Sequence, residues 1–427
     1  MITVKQLTRP LSASRSAQLA KLVPGGVNSP FRSFQEVGGH TVFFSRAQGS
    51  RLFDIDGNTY LDYLGAWGPA VLGHSHPAII SACQRILSLG PVFGAPHELE
   101  LELATRLVEG IKSLEQVRFV NSGTEAVMSA IRLSRGATLR NRIIILEGGY
   151  HGHSDSVLAS NRHNSSLGIP QASAEQSLLV EFNNADALAA CFQSCGDEVA
   201  AVLMEPVAGS MCVIPPEPGY LQEVRRLCTK YGALLIFDEV LSGCRISLGG
   251  AQELYGVQPD LSCFGKALGG GMPIGAYGGP EILMRNLFPV GRVYQAGTFS
   301  GNPVTMTGGI ETLKLLSDPG IFAELEVKSA RFFAGLAQAI EQTKAPVTLQ
   351  RAGSMFSIVF ADHPVKNFTD SQTVDVKAYA RFFHYLLDHG IYMPPSAVDA
   401  ACLSAAHTDE EIDFTIDVCR EAFKQVF

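Results

Sequence analysis

Four short apolar runs in the middle of the chain lack strict polar alternation: Val117-Arg118-Phe119-Val120, Ile143-Ile144-Ile145-Leu146, Ala200-Ala201-Val202-Leu203-Met204 and Ala233-Leu234-Leu235-Ile236-Phe237. A strand with one solvated face alternates apolar and polar residues, whereas a strand covered on both faces does not. Between the runs, amphipathic spacing predicts helices over 125–135, 185–193 and 219–231. Alternating strands and helices predict βαβ units in a mostly parallel, doubly wound sheet.

The flanks read differently. Thr41-Val42-Phe43-Phe44 and Arg51-Leu52-Phe53-Asp54, split by Ala47-Gln48-Gly49, predict an antiparallel hairpin. From about residue 315 the pattern predicts a long helix over 320–343, a strand over 354–360 and helices over 376–389 and 409–425. The expected organisation is an N-terminal segment (1–65), a large α/β domain (66–314) and an α+β C-terminal lobe (315–427).

Ligands of doubly wound sheets bind beyond the carboxyl ends of the strands, so the residues that follow each strand are the candidates for chemistry. Asn121-Ser122-Gly123-Thr124-Glu125 follows the first and opens a helix. Ser122 and Glu125 have capping-box spacing. The same segment suits a phosphate, because Gly123 lets an anion approach the backbone and a helix N-terminus offers free N–H groups. Glu147-Gly148-Gly149-Tyr150-His151-Gly152-His153 follows the next strand. Tyr150 offers a flat face to a planar ligand. Its two histidines lack a third ligand at helical spacing, so no metal is expected. Asp238 ends the fourth run, where a buried carboxylate is costly unless a cation pairs with it. Phe264-Gly265-Lys266-Ala267-Leu268-Gly269-Gly270-Gly271 sets Lys266 among glycines and apolar residues and fails the phosphate-loop pattern. A lysine in such a pocket titrates low, and its neutral amine can form a Schiff base. Gly297-Thr298-Phe299-Ser300-Gly301 supplies one more hydroxyl in a glycine-rich turn.

Composition narrows the class. The chain has 427 residues with Lys+Arg 33 against Asp+Glu 41, a net charge of −8. That balance argues against a nucleic-acid binder and a polybasic membrane-surface protein. No apolar run approaches the roughly 20 residues of a membrane span, and the polar N-terminus predicts no signal peptide. Nine cysteines without a C-x-x-C pair predict buried reduced thiols of a cytoplasmic protein. Only 17% of residues are charged while 46% are hydrophobic, which suggests an oligomer interface.

Phosphate cup, aromatic stacker, ring-nitrogen acid, amine and second phosphate hydroxyl, in that order, form the kit for pyridoxal 5′-phosphate, an electron sink whose ring needs a carboxylate partner. The sequence resembles the class III (ω-) aminotransferases of fold type I, and within them the aminomutases, which move an amino group within one substrate. The resemblance runs from about Ser16 through Pro24-Gly25-Gly26-Val27-Asn28-Ser29-Pro30, Trp67-Gly68-Pro69, Gly73-His74-Ser75-His76-Pro77, Phe93-Gly94-Ala95-Pro96, Asn121 to Glu125, Gly149 to His153 and Tyr294-Gln295-Ala296-Gly297-Thr298. It implies that Lys266 holds the cofactor and shuttles protons. Asp238 would pair with the pyridine nitrogen, while Tyr150 stacks on one ring face and Val240 packs the other. Gly123 and Thr124, beside Ser122, would bind the phosphate with Thr298 of a partner subunit in a homodimer. It also implies that Glu205 and Ser210 line the cofactor, and that Ser29, Arg32, Trp67 and Asp399 line the pocket of an amino-acid or amino-aldehyde substrate, with Arg32 on its carboxylate.

Departures from the family pattern mark where the substrate side differs. The segment Ser156 to Pro170 is several residues shorter than the usual gating loop and lacks its Ala-Gly-Ser-Gly element. Ser210 replaces an asparagine, Ala66 a serine, and Leu241-Ser242-Gly243-Cys244-Arg245 the usual Met-Thr-Gly-Phe-Arg. Asp399 stands where the aminomutases carry a glutamate. Like charges in a dry pocket repel by about 4 kcal/mol at 4 Å with an effective dielectric of 20, so Asp399 disfavours a substrate with a second carboxylate. A short lid would let an intermediate escape, which makes intermolecular transamination the alternative activity.

Overall fold

The computed structural model describes residues 7–158 and 166–427. Of the segment 156–170, expected to be a shortened gating loop, residues 159–165 lie outside the described residues. The chain divides into two compact units.

One unit holds Pro77–Phe322 with Lys366–Thr369. It is built on a seven-stranded sheet in the order Gln116–Val120, Gly275–Gly279, Leu261–Gly265, Leu234–Asp238, Val199–Met204, Arg142–Leu146 and Ser177–Val180. The last five run parallel; Gly275–Gly279 is antiparallel to both of its neighbours. All four predicted strands are present, as are the helices, now Gly123–Thr138, Ala185–Cys195 and Tyr220–Tyr231. Alternate residues of three strands (Ile143 and Ile145, Ala201 and Leu203, Leu261 and Cys263) share one core cluster with Ala126, Val127, Ala130 and Ile131 of the helix Gly123–Thr138. Val199–Met204 is buried at every position, as an interior strand without polar alternation should be.

Three strands have no counterpart in the sequence reading: Ser177–Val180, Leu261–Gly265 and Gly275–Gly279. Gly275–Gly279 reads Gly-Ala-Tyr-Gly-Gly and has no apolar run to announce it. A methyl group at Gly275 would meet Ser122 O at 2.0 Å, and one at Gly279 would meet Asp260 O at 2.3 Å. Close backbone approach, and not side-chain packing, selects this strand's residues.

The other unit joins the chain up to His76 with Ala323–Val365 and Asp370–Phe427. The segment set apart in the sequence as 1–65 therefore shares a unit with the C-terminal part of the chain. Its four-stranded sheet pairs Phe44–Gln48, Arg51–Asp54 and Thr59–Asp62 antiparallel and adds Ile391–Tyr392 in parallel. The expected hairpin is present but shifted: Ala47 and Gln48 belong to its first strand, and Thr41–Phe43 precede it. A second, three-stranded sheet holds Thr348–Ala352, Met355–Val359 and Ala401–Cys402. The helix Asp409–Val426 opens on a Thr408/Glu411 capping box. Glu411 also accepts from Ser50 Oγ at 2.7 Å and Arg51 Nε at 2.9 Å, which ties this helix to the hairpin.

Candidate active site

Apart from Thr298, the candidate residues of the larger unit follow the carboxyl ends of strands of the sheet. Ser122 caps the helix Gly123–Thr138, its Oγ accepting from Glu125 N at 3.2 Å. The reciprocal bond of a capping box is displaced by one residue, since the Glu125 carboxylate accepts from Asn121 N. Helix geometry leaves the N–H groups of Gly123 and Thr124 without an intrahelical acceptor. Gly123 cannot be larger, because a methyl group there would lie 2.8 Å from Val240 Cγ1. Val240 is also close to Gly265, where an added methyl would sit 3.3 Å from Val240 Cγ1. Val240 thus stands between Gly123 and the residue that precedes Lys266. Lys266 itself adopts a φ of 44° at the start of a short turn after Leu261–Gly265. That left-handed backbone is uncommon for a residue with a side chain and clusters at functional sites.

Asp238 ends its strand 4% exposed. Its Oδ1 accepts from Val240 N at 3.0 Å, and its Oδ2 accepts from His151 Nδ1 at 2.8 Å. His151 is the hydrogen-bond partner that a buried acid at a strand end needs, a role the sequence reading did not give it. The costly position of Asp238 was the available signal; His151 lies beyond the end of Arg142–Leu146, two strands away in the sheet. His151 Nε2 is buried and has no hydrogen-bond partner among the described residues. The adjoining loop runs past the helix start: a methyl at Gly152 would meet Thr124 Oγ1 at 2.3 Å, and Thr124 Oγ1 lies 3.3 Å from His153 Nδ1.

Glu205 fixes the aromatic residue of this loop. Its Oε1 accepts from Tyr150 N at 2.9 Å and its Oε2 from Gly209 N at 3.0 Å. Burial pushes the Glu205 carboxyl above the usual range; nearby His151 opposes this and Asp238 adds to it. Ser210 is half-buried in the turn that follows. Thr298 is exposed in the turn before Asn302, which caps the helix Pro303–Leu316. A methyl at Gly297 would lie 3.3 Å from Asn121 Nδ2, so the Thr298 turn borders the segment leading into the helix Gly123–Thr138.

The four substrate candidates belong to the smaller unit. Ser29 precedes the short turn Pro30–Arg32 and is half-buried, while Arg32 is exposed. The Trp67 ring packs on Phe31 with centroids 5.7 Å apart, at 59°. Asp399 is 6% exposed.

Sheet order, buried acid, capped helix and strained lysine define an enzyme of the aminotransferase type, and the family model of class III aminotransferases matches residues 34–422. The chain belongs to that family. It is 46% identical over 428 residues to a glutamate-1-semialdehyde 2,1-aminomutase 2 of Brevibacillus brevis, covering 99% of this chain and 100% of that one. It is 48% identical to the glutamate-1-semialdehyde 2,1-aminomutase of Desulforudis audaxviator, over 97% of this chain and 98% of that one. Among solved structures, an ω-transaminase from Sphaerobacter thermophilus superposes with a TM-score of 0.91 at 32% identity, over 97% of both chains. The fold type and the family expected from the sequence motifs are those found.

Proposed function

We propose that the chain is a pyridoxal-phosphate-dependent aminomutase that converts glutamate 1-semialdehyde to 5-aminolevulinate. The observation that carries the cofactor is the buried His151–Asp238 pair at 2.8 Å beside a capped helix N-terminus. A protonated pyridine nitrogen needs a carboxylate held in place, and a phosphate needs free N–H groups with no Cβ in the way. Asp238 and the Gly123 segment meet both needs. Nearly full-length identity of 46–48% with aminomutases supports the substrate.

When bound, pyridoxal phosphate supplies the electron sink that makes a carbon next to nitrogen acidic. The chain's own residues do the rest. Gly123 and Thr124 would hold the phosphate, with Thr298 of a second subunit completing it. Tyr150 and Val240 would flank the ring. Asp238, held by His151, would pair with the ring nitrogen. Lys266 would anchor the cofactor and move the proton at the substrate carbon. Arg32, beside Ser29 and Trp67, binds the substrate carboxylate with its planar fork. Asp399 repels a second carboxylate, so the far end of the substrate is an aldehyde or an amine. With an amine supplied by the pyridoxamine form of the cofactor, the substrate would gain nitrogen at C5, giving 4,5-diaminovalerate, and then return the C4 amine, so the diamine has to stay bound between the two half-transfers.

The enzyme works as a homodimer in the cytoplasm. Exposed Leu89, Phe93, Val290, Tyr294 and Phe299 are too apolar for a monomer's surface in such number. Their two segments are linked by His97 Nε2 to Gly301 O at 2.8 Å. All nine cysteines are free thiols, which suits a reducing compartment.

The test is product analysis after loading the enzyme with pyridoxamine phosphate and adding glutamate 1-semialdehyde. Repeated formation of 5-aminolevulinate without added amine donor is expected. Stoichiometric release of diaminovalerate would instead mean transfer between molecules.

A further inference from the structure

Asp62 ends the strand Thr59–Asp62 and is 3% exposed. Both of its oxygens are engaged. Oδ1 accepts from Leu64 N at 2.9 Å and Gly65 N at 3.2 Å. Oδ2 accepts from His74 Nε2 at 2.6 Å. His74 is itself anchored through its backbone, donating to Gly49 O at 2.7 Å and accepting from Gly49 N at 2.9 Å.

The chain leaving Asp62 then runs through four consecutive positive φ values: Gly65 at 57°, Ala66 at 54°, Trp67 at 66° and Gly68 at 116°. Glycine adopts these angles freely, but Ala66 and Trp67 do so only against a steric penalty. Such residues persist where their surroundings over-determine them. The Asp62 carboxylate pins the entry to this run at two successive N–H groups. At the other end of the chain of contacts, the Trp67 ring rests on Phe31, whose neighbour is Arg32.

We propose that Asp62, held by His74, is a positioning residue for the substrate's carboxylate end. It fixes the Trp67 turn, and through the Trp67–Phe31 contact it fixes the segment that carries Arg32. The proposal rests on the reading above that Arg32 grips a carboxylate. Asp62 touches no substrate; it sets how well the arginine is aimed.

Trp67 is the only tryptophan of the chain, so intrinsic tryptophan emission reports on this turn alone. Asp62→Asn keeps the shape but removes the charge and one acceptor; His74→Gln removes the support of the other oxygen. With the far-UV spectrum unchanged, Asp62→Asn is expected to shift Trp67 emission and raise its quenching by acrylamide. It should also raise KM about tenfold while kcat stays within about threefold. His74→Gln should move both readings the same way by less. A merely structural role would lower the folded fraction without separating KM from kcat. Wild-type emission, or a wild-type KM, in folded Asp62→Asn overturns the proposal. Should that variant not fold, the same two readings on His74→Gln decide. Failure of the wild-type enzyme to turn over glutamate 1-semialdehyde would sink the function reading instead, and the emission shift would still report the link from Asp62 to Trp67.

Discussion

His151 Nδ1 donates to Asp238 Oδ2 across 2.8 Å, with the histidine 3% and the aspartate 4% exposed. Neither group could be buried alone at modest cost. Removing the histidine leaves Asp238 Oδ2 without its donor, with only Val240 N holding the other oxygen. His151→Asn is therefore expected to weaken cofactor retention and lower kcat by at least tenfold, while Lys266 still reacts with added pyridoxal phosphate. Absorbance of the bound cofactor after dialysis, together with steady-state rates, checks this. Unchanged retention and kcat would deprive His151 of its role.

Glu205 accepts from two backbone N–H groups, Tyr150 and Gly209, with its two oxygens. A carboxylate has two acceptors to offer; an amide has one acceptor and one donor. Glu205→Gln must turn its NH₂ toward one of these donors. A buried N–H left unpaired costs about 1–3 kcal/mol, so the variant should unfold at lower denaturant concentration. The Tyr150 loop is also expected to shift, altering the absorption of bound cofactor. Wild-type midpoint and spectrum together would show that the loop does not depend on this bridge.

Much of the larger unit was legible because its interior strands are long enough and apolar enough to announce themselves. Ile143–Leu146 and Ala200–Met204 could hardly be anything else. Gly275–Gly279 was invisible because its residues are chosen by the nearness of Ser122 O and Asp260 O, which no local pattern encodes. Asp238 was legible by position, since it follows a strand the pattern announced, and Lys266 by its setting among glycines and apolar residues, although the strand Leu261–Gly265 before it was not read. The His151–Asp238 pair was not, because it joins residues 87 apart. The hairpin shift has the same origin. Its register is fixed by pairing of Gln48 with Arg51, across a turn shorter than the glycine and polar residues suggested.

Gly123 has room for nothing more than hydrogen, with Val240 Cγ1 2.8 Å and Cγ2 3.0 Å from an added methyl. Gly123→Ala should force Val240 or the helix start to move, at a cost of about 1–3 kcal/mol typical of overpacking. The same movement misplaces the phosphate N–H groups, so cofactor affinity should fall. Truncating the neighbour provides the control: in Gly123→Ala with Val240→Ala, stability should recover part of the loss. Equilibrium dialysis with pyridoxal phosphate and urea unfolding give the two readings. If the double variant is no more stable than the single one, the clash with Val240 is not the cause.

His407 predicts how stability depends on acid. Burial lowers its pKa from 6.5 to about 4, against the opposing pull of Asp62 and Glu411. The hydrogen bonds agree with a neutral ring: Ser404 N donates to His407 Nδ1 at 3.1 Å, so that nitrogen carries no proton. In the folded protein the ring stays neutral until about pH 4, whereas in the unfolded chain it takes up a proton below about 6.5. The unfolded state therefore binds more protons in that window, and stability falls as the pH drops through it. The contribution is fully present above pH 6.5 and lost toward pH 4, a difference of about 3 kcal/mol. His407→Gln keeps a polar group for Ser404 but cannot titrate. It should be less stable than the wild type near neutrality, and the gap should narrow as the pH falls from 6.5 to 4. Urea unfolding midpoints at several pH values across the window measure it. Parallel pH curves for the two proteins would mean that His407 is charged in both states or in neither.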